Sequence, residues 1–327
     1  MPTPSSIFTE IVTTTDRSWG SSIADNVSDH NALLNRLKKK GKFKTFSGGY
    51  ELAEPLDYAN NGTTQRFSGY EGLNTSASDV LTSAKYPLQQ IAMHITASGK
   101  ELLMNSGKER MFDLFEARKK NAMKSAANFL AIDLYSDGAL TNQINGLANL
   151  IQTNGQGTVG GINSTTWPFW RNQFKEMTGT NLAASPSAAN AISMKADINQ
   201  MWLGLQRGVD HPDLIVMSHD FYALFELGEQ QLQRYTKSEL ADAGFEALKY
   251  KQADVVFDDN TNFATTAEKA YFLNTDYLYL KQHRDAQWTM DEAKRPVNQD
   301  AVVVPFYWMG NLVCTNRSLQ GILFDAA

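Results

Sequence analysis

The chain has 327 residues, 42% hydrophobic and 20% charged, with a formal net charge of −5. That length allows about two domains of roughly 100–200 residues and ample core. An aromatic content of 11% with so small a net charge excludes intrinsic disorder. A pI near 5.6 argues against a dedicated DNA binder, whose affinity comes from lysine and arginine on phosphates. The single cysteine, Cys314, excludes an intrachain disulfide and a cysteine zinc cluster, and fits a reducing compartment. No apolar run approaches the roughly 20 residues of a membrane span. The start, Met1 to Glu10, has neither a basic region nor a continuous apolar stretch, so no secretory leader is expected.

The first 22 residues are polar and read as an extended arm. Ile23, Val27, Leu34 and Leu37 then fall on one helical face. Lys38, Lys39 and Lys40 stack positive charge at the C-terminal end of that helix, and Gly41 can stop it. The lysines read as a solvated face complementing the helix dipole. Ser47-Gly48-Gly49 and Asn60-Asn61-Gly62 are hairpin-turn signals. Between them Pro55 confines Tyr50–Tyr58 to an edge strand or a bulge. Gln65–Glu71 reads as a polar strand and Tyr86–Thr96 as its return. This stretch has little apolar material for a core of its own, so the hairpin is expected to lie on a neighbouring subunit.

The strongest helical pattern runs from Ser106 to Tyr135, with Ser106 and Glu109 as a capping box and Asp137-Gly138 as its stop. Its length would be on the order of 45 Å. Residues 147–174 are loop-rich. Beyond them Ala188–Gly208 reads as a helix, Asp213–Ser218 as a buried strand, and His219–Leu227 as a helix start. Ala253–Phe257, Ala270–Leu273 and Tyr277–Lys281 read as strands, so this part alternates as an α/β unit. The tail reads as two strands, Ala301–Met309 and Leu312–Asn316, around a Gly310-Asn311 turn.

Chemical motifs are sparse. Gly155-x-Gly157-x-x-Gly160 has the letters of a dinucleotide fingerprint, but Pro168 and two threonines block the helix that must follow; a surface loop is expected. None of the five histidines has metal-hydrolase spacing. His219-Asp220 lies at a strand-to-helix junction, where either helix capping or catalysis would suit it. Asp258-Asp259 lacks the ligand alternation of a calcium loop. Cys314 sits in an apolar strand and reads as a buried small hydrophobe. No cofactor and no metal site is expected. Trp167, Phe169 and Trp170 with Arg171 form the most pointed cluster, because aromatics and arginine are enriched at interface hot spots. Folding back onto the core is the competing reading.

The order of parts resembles the major capsid proteins of tailed bacteriophages: a polar arm, an amphipathic helix ending in lysines, a long polar hairpin, one long helix, an α/β unit and a terminal strand pair. Local strings carry the resemblance in order: His30–Leu34, Phe46–Gly49 with Glu54–Tyr58, Phe67–Tyr70, Asn105–Lys108, and Val159–Ile162 with Phe169–Asn172. Each is weak alone; together they cover nearly the whole chain.

The resemblance implies an α+β fold of the Hong Kong-ninety-seven type. Residues 1–42 would be an N-terminal arm and 43–97 an extended loop. Residues 98–189 would be a peripheral domain with its spine helix at about 106–135. Residues 190–284 would form an axial domain, and 285–327 would return to the peripheral domain. It implies no enzyme but a virion shell subunit, made in the host cytoplasm and assembling with itself into hexamers and pentamers. The shell would enclose double-stranded DNA without reading its sequence. Portal, scaffolding and decoration proteins are the implied partners, and no membrane. Arg66, Phe67, Tyr70, Lys85, Trp167, Trp170 and Arg171 are the candidates for contact between subunits. Some members of the family join a lysine to a neighbour's asparagine. Lys85 is a candidate lysine, but no partner asparagine or acid stands out, so no crosslink is assigned. The alternatives are an encapsulin-like nanocompartment shell and an α/β enzyme using His219 or Asp220.

Overall fold

The computed structural model describes residues 32–104, 114–177, 187–230, 247–258 and 268–325. The expected arm, the Ser106–Glu109 capping box and Asp259 lie outside these residues.

Helix α1 (Ala32–Lys39) buries Ala32, Leu33 and Leu37, the face set by its apolar spacing. Strands β1 (Phe43–Phe46), β2 (Glu51–Asp57), β3 (Leu81–Pro87) and β4 (Gln89–Ser98) follow. Then come a short helix α2 (Gly99–Met104) and the long helix α3 (Leu114–Asp133). The described part of α3 spans on the order of 30 Å. Next are α4 (Leu147–Leu150), the small hairpin β5 (Thr158–Val159) and β6 (Ile162–Asn163), and β7 (Gln173–Glu176). Helix α5 (Ala188–Leu205) starts at an N-cap, Ser187, whose side chain accepts from Asn190 N. Strand β8 (Leu214–Met217), helix α6 (His219–Gln230), β9 (Ala247–Tyr250), β10 (Ala253–Phe257) and β11 (Lys269–Leu273) complete the alternating part. Two long strands, β12 (Leu278–Met290) and β13 (Ala301–Cys314), precede β14 (Gly321–Phe324).

Two mixed sheets organise these elements. The four-stranded sheet runs β1-β12-β13-β4 and the six-stranded sheet β7-β14-β11-β8-β10-β9. Helices α5 and α6 cover the six-stranded sheet through Met194, Ile198, Leu205, Phe221 and Phe225 against Ile215, Val255 and Phe272. All four residues of β8 are buried, as a continuous apolar run between two neighbouring strands requires. The six-stranded sheet takes β7 and β14 from outside 190–284. The four-stranded sheet takes β4 from within the segment expected to be all extended loop.

Three local readings change in the folded chain. The expected return strand is broken into β3, paired with β2, and β4, paired with β13. The break falls at Leu88, just after Pro87, which has no N–H for a ladder and whose carbonyl accepts from Asn311 Nδ2 at 2.8 Å. Gly310-Asn311 is not a turn: β13 runs straight through it. The backbone at Gly310 lies so close to Lys281 O that a Cβ would overlap it, so glycine serves close approach here. Ser47-Gly49 closes no hairpin, because β1 pairs in parallel with β12 while β2 pairs with β3.

Arg317 is fully buried below the junction of the two sheets. Its Nε donates to Leu150 O at 2.7 Å, Nη1 to Trp170 O at 3.0 Å and Nη2 to Asn172 Oδ1 at 2.9 Å. Burial pulls its pKa down. One planar donor fork thereby ties Leu150 to the Trp170–Asn172 stretch of the loop-rich region.

Candidate assembly surfaces

The hairpin β2–β3 pairs from Glu51 with Pro87 to Asp57 with Leu81. Alternation along β2 turns Leu52, Glu54 and Leu56 inward and Ala53, Pro55 and Asp57 outward. Leu52, Leu56, Ala84 and Tyr86 join the main core. Tyr86 donates its hydroxyl to Cys314 O at 2.8 Å, and Glu54 forms an ion pair with Lys281. The base of the hairpin therefore lies on its own subunit, contrary to the expectation that the whole segment rests on a neighbour.

Residues 58–80 leave the body. From 59 to 77 only Thr63 is partly covered and none is buried. The expected strand at Gln65–Glu71 is absent; side chains hold the loop instead. Asn61 Oδ1 accepts from Thr63 N and Ser78 Oγ, Asn74 Nδ2 donates to Gly62 O, and Gln65 Nε2 donates to Gly72 O. At the tip, Glu71 N donates to Ser68 O and Ser68 N to a Glu71 carboxylate oxygen, with Gly69 at φ 53 making the turn. Beside it Phe67 is 63% exposed and Tyr70 109%. Arg66 is exposed there too, without an ion-pair partner among the described residues.

A cleft of about 440 Å³ opens between the outer end of the hairpin and the 160–169 segment. Tyr58, Asp79, Leu81, Lys85, Trp167 and Phe169 line it. Tyr58 meets Trp167 edge to face at 5.6 Å and Phe169 at 5.7 Å between ring centroids. Burial and the adjacent Asp79 carboxylate push the Tyr58 hydroxyl above its usual range. Lys85 pairs with Glu51 at 2.8 Å, which raises its pKa.

The structure thus brings Lys85 and Trp167 together in one cleft and places Arg66, Phe67 and Tyr70 at the loop tip. The other two candidates are engaged within their own subunit. Trp170 is 2% exposed, with Nε1 donating to Val159 O at 2.9 Å. Arg171 braces its own loop, donating to Ser164 O at 2.8 Å and Thr165 O at 3.1 Å. Tyr58, Asp79 and Leu81 were missed as cleft residues. The turn signal at Asn60-Asn61-Gly62 is the sequence feature that marks where Tyr58 leaves the strand.

The lysine-rich end of α1 is not merely a solvated face. Arg36 contacts Asp213 at 3.2 Å and Asp254 at 3.1 Å, Lys40 contacts Asp213 at 2.7 Å, and Lys42 contacts Asp276 at 2.9 Å. Lys42 and Lys40 hold the Asp276 carboxyl below its usual range. These contacts clamp α1 and the residues after it to Asp213, Asp254 and Asp276.

His219 and Asp220 are largely exposed and touch only as sequence neighbours, at 3.2 Å. Gly155, Gly157 and Gly160 turn the chain around the β5–β6 hairpin. Asp258 is buried and accepts from Tyr135 Oη at 2.8 Å. Cys314 is buried, its thiol pushed up to about 12 by burial. No group of three metal-ligating side chains occurs among the described residues, and none of their helices is long and apolar enough to cross a membrane.

The sequence matches no protein-family model and no curated relative. Solved structures do match over nearly the whole chain. The capsid asymmetric unit of cyanophage A-1(L) superposes with a TM-score of 0.64 at 14% identity, covering 93% of this chain and 95% of that one. The capsid of the native GTA particle superposes with a TM-score of 0.61 at 13% identity, covering 99% of both. The holo-SrpI encapsulin of Synechococcus elongatus PCC 7942 superposes with a TM-score of 0.57 at 7% identity, covering 93% and 92%. The chain has the shell-protein fold these subunits share. Within that class it has the α+β, Hong Kong-ninety-seven-type capsid fold that the order of its sequence elements implies.

Proposed function

We propose that this chain is the major capsid protein of a tailed bacteriophage. Many copies associate into hexamers and pentamers of an icosahedral shell around double-stranded DNA, in the virion, after synthesis in the host cytoplasm. The observation that carries the reading is one body with the capsid fold bearing a 58–80 loop that leaves its aromatic side chains without cover. Exposed aromatic side chains on a loop held by its own hydrogen bonds suit a surface that meets a partner. The shell role is structural rather than enzymatic and requires no cofactor. The net charge of −5 suits a lining that does not grip a mobile genome. Portal and scaffolding proteins, and a decoration protein, are the partners such a shell would use.

Electron microscopy of the purified native protein tests this reading. Closed particles of tens of nanometres are expected; a monodisperse dimer or tetramer under all conditions would sink it. The likeness to an encapsulin supports a second reading, a nanocompartment with protein cargo. Nuclease-protected DNA inside the particles favours the phage shell, and a co-purifying folded protein cargo favours the compartment.

A further inference from the structure

Three aromatic rings in different planes line one volume of about 440 Å³ beside the β2–β3 hairpin. Trp167 stands near-perpendicular to both Tyr58 and Phe169, with centroids at 5.6 and 6.5 Å, and Tyr58 tilts against Phe169 at 5.7 Å. Trp167 is 47% exposed, so much of its indole is left uncovered by its own subunit. Elsewhere the chain covers aromatic faces with its own lysines. Lys44 Nζ lies 3.7 Å from the Tyr279 ring centroid, and Lys251 Nζ 5.4 Å from that of Trp202. Among the described residues no lysine or arginine lies over Tyr58, Trp167 or Phe169.

The charges in the cleft agree with the rings. Lys85 is paired with Glu51 at 2.8 Å. Asp79, at the exposed rim beside the Tyr58 hydroxyl, has no ion-pair partner among the described residues. The cleft thus keeps one uncompensated negative charge next to electron-rich ring faces. A metal ion would need several oxygen ligands, and only one carboxylate lines the cleft. An alkylammonium ion carries its charge on an apolar surface, which ring faces attract and cover. A neutral apolar ligand would draw nothing from Asp79.

We propose that this cleft binds a small free alkylammonium ion, held against the Trp167 and Tyr58 rings with Asp79 as its counter-charge. Such a site is complete within one subunit and does not depend on shell assembly.

Choline chloride is the probe, and 3,3-dimethylbutan-1-ol, the same shape without the charge, is its control. Each is titrated into the full-length chain at constant ionic strength and followed by saturation transfer to its methyl protons, a readout that needs no tryptophan. Choline should bind about tenfold more tightly than the alcohol. Trp167→Leu should weaken choline about tenfold. Asp79→Asn, at an exposed position, should weaken it about threefold and leave the alcohol unchanged. Equal affinity for the two probes, no saturable binding of choline, or choline binding unchanged in a folded Trp167→Leu would each overturn the site. Nα-acetyl-lysine amide binding more tightly than both choline and n-butylammonium would assign the cleft to a protein partner's lysine and overturn the free ion. Each of these results leaves the shell reading standing, since particle size is measured separately.

Discussion

Removing residues 60–72 should abolish closed shells while leaving the subunit as stable as before. The loop from 58 to 80 contributes no side chain to the core, and none of residues 60–72 is buried, so the deletion forfeits no hydrophobic burial. What changes is loop closure. The connection between Asp57 and Leu81 shortens from about 23 residues to about 10, which favours the folded state by about 0.7 kcal/mol. For a chain of 327 residues that is a rise in Tm of about 1 °C. The hydrogen bonds lost are solvent-exposed ones among loop residues, each replaced by water at little net cost. The assay pairs thermal unfolding by circular dichroism with sedimentation velocity and electron microscopy of the same sample. A fall in Tm beyond about 5 °C would refute the claim that the loop stands outside the core. Normal closed shells would refute its role between subunits.

Other substitutions test the body. Arg317→Met should destabilise the subunit by about 3–5 kcal/mol in denaturant unfolding, because Leu150 O and Trp170 O lose their buried donor; a change below about 1 kcal/mol would contradict that role. Glu101 receives Arg118 in a two-point contact at 3.0 and 3.1 Å, and Ser98 N at 2.8 Å. The Arg118 bonds hold its carboxyl below the usual range, so the folded pKa is depressed. Its stabilising effect is therefore present above the unfolded pKa of about 4.3 and is lost as pH falls through the lower folded value. Glu101→Gln should flatten the acid limb of a stability-against-pH curve in that window and leave its neutral-to-alkaline shape alone. Cys314 should resist thiol reagents in the native protein at pH 8 and react fully in denaturant; rapid native labelling would contradict its burial.

Much of this architecture is written in local pattern. Leu37 marks the buried face of α1, where Leu33 is buried and the expected Leu34 only half-buried; Ile198, Met201 and Leu205 mark that of α5, and the run Leu214–Met217 a strand covered on both faces. These follow from helical period, strand period and apolar content, which neighbouring residues carry by themselves. The end of β2 before Asn60-Asn61-Gly62 was legible for the same reason, but no hairpin closes there: β2 pairs with β3 across the 58–80 loop.

Long-range proximity decided the rest. Whether Gly310 turns the chain or lets β12 and β13 approach depends on Lys281, about thirty residues earlier in the chain. Pro87 ends a strand because Asn311 claims its carbonyl. Trp167 and Trp170 are three residues apart in one aromatic cluster, yet one lines an open cleft and the other fills the core beside Arg317, a residue far along the sequence. The composition of 327 residues and its 42% hydrophobic share determined that a core would form. Only the packed structure decided that the hairpin's base belongs to that core and its tip does not, because burial is a property of what lies opposite a side chain in space.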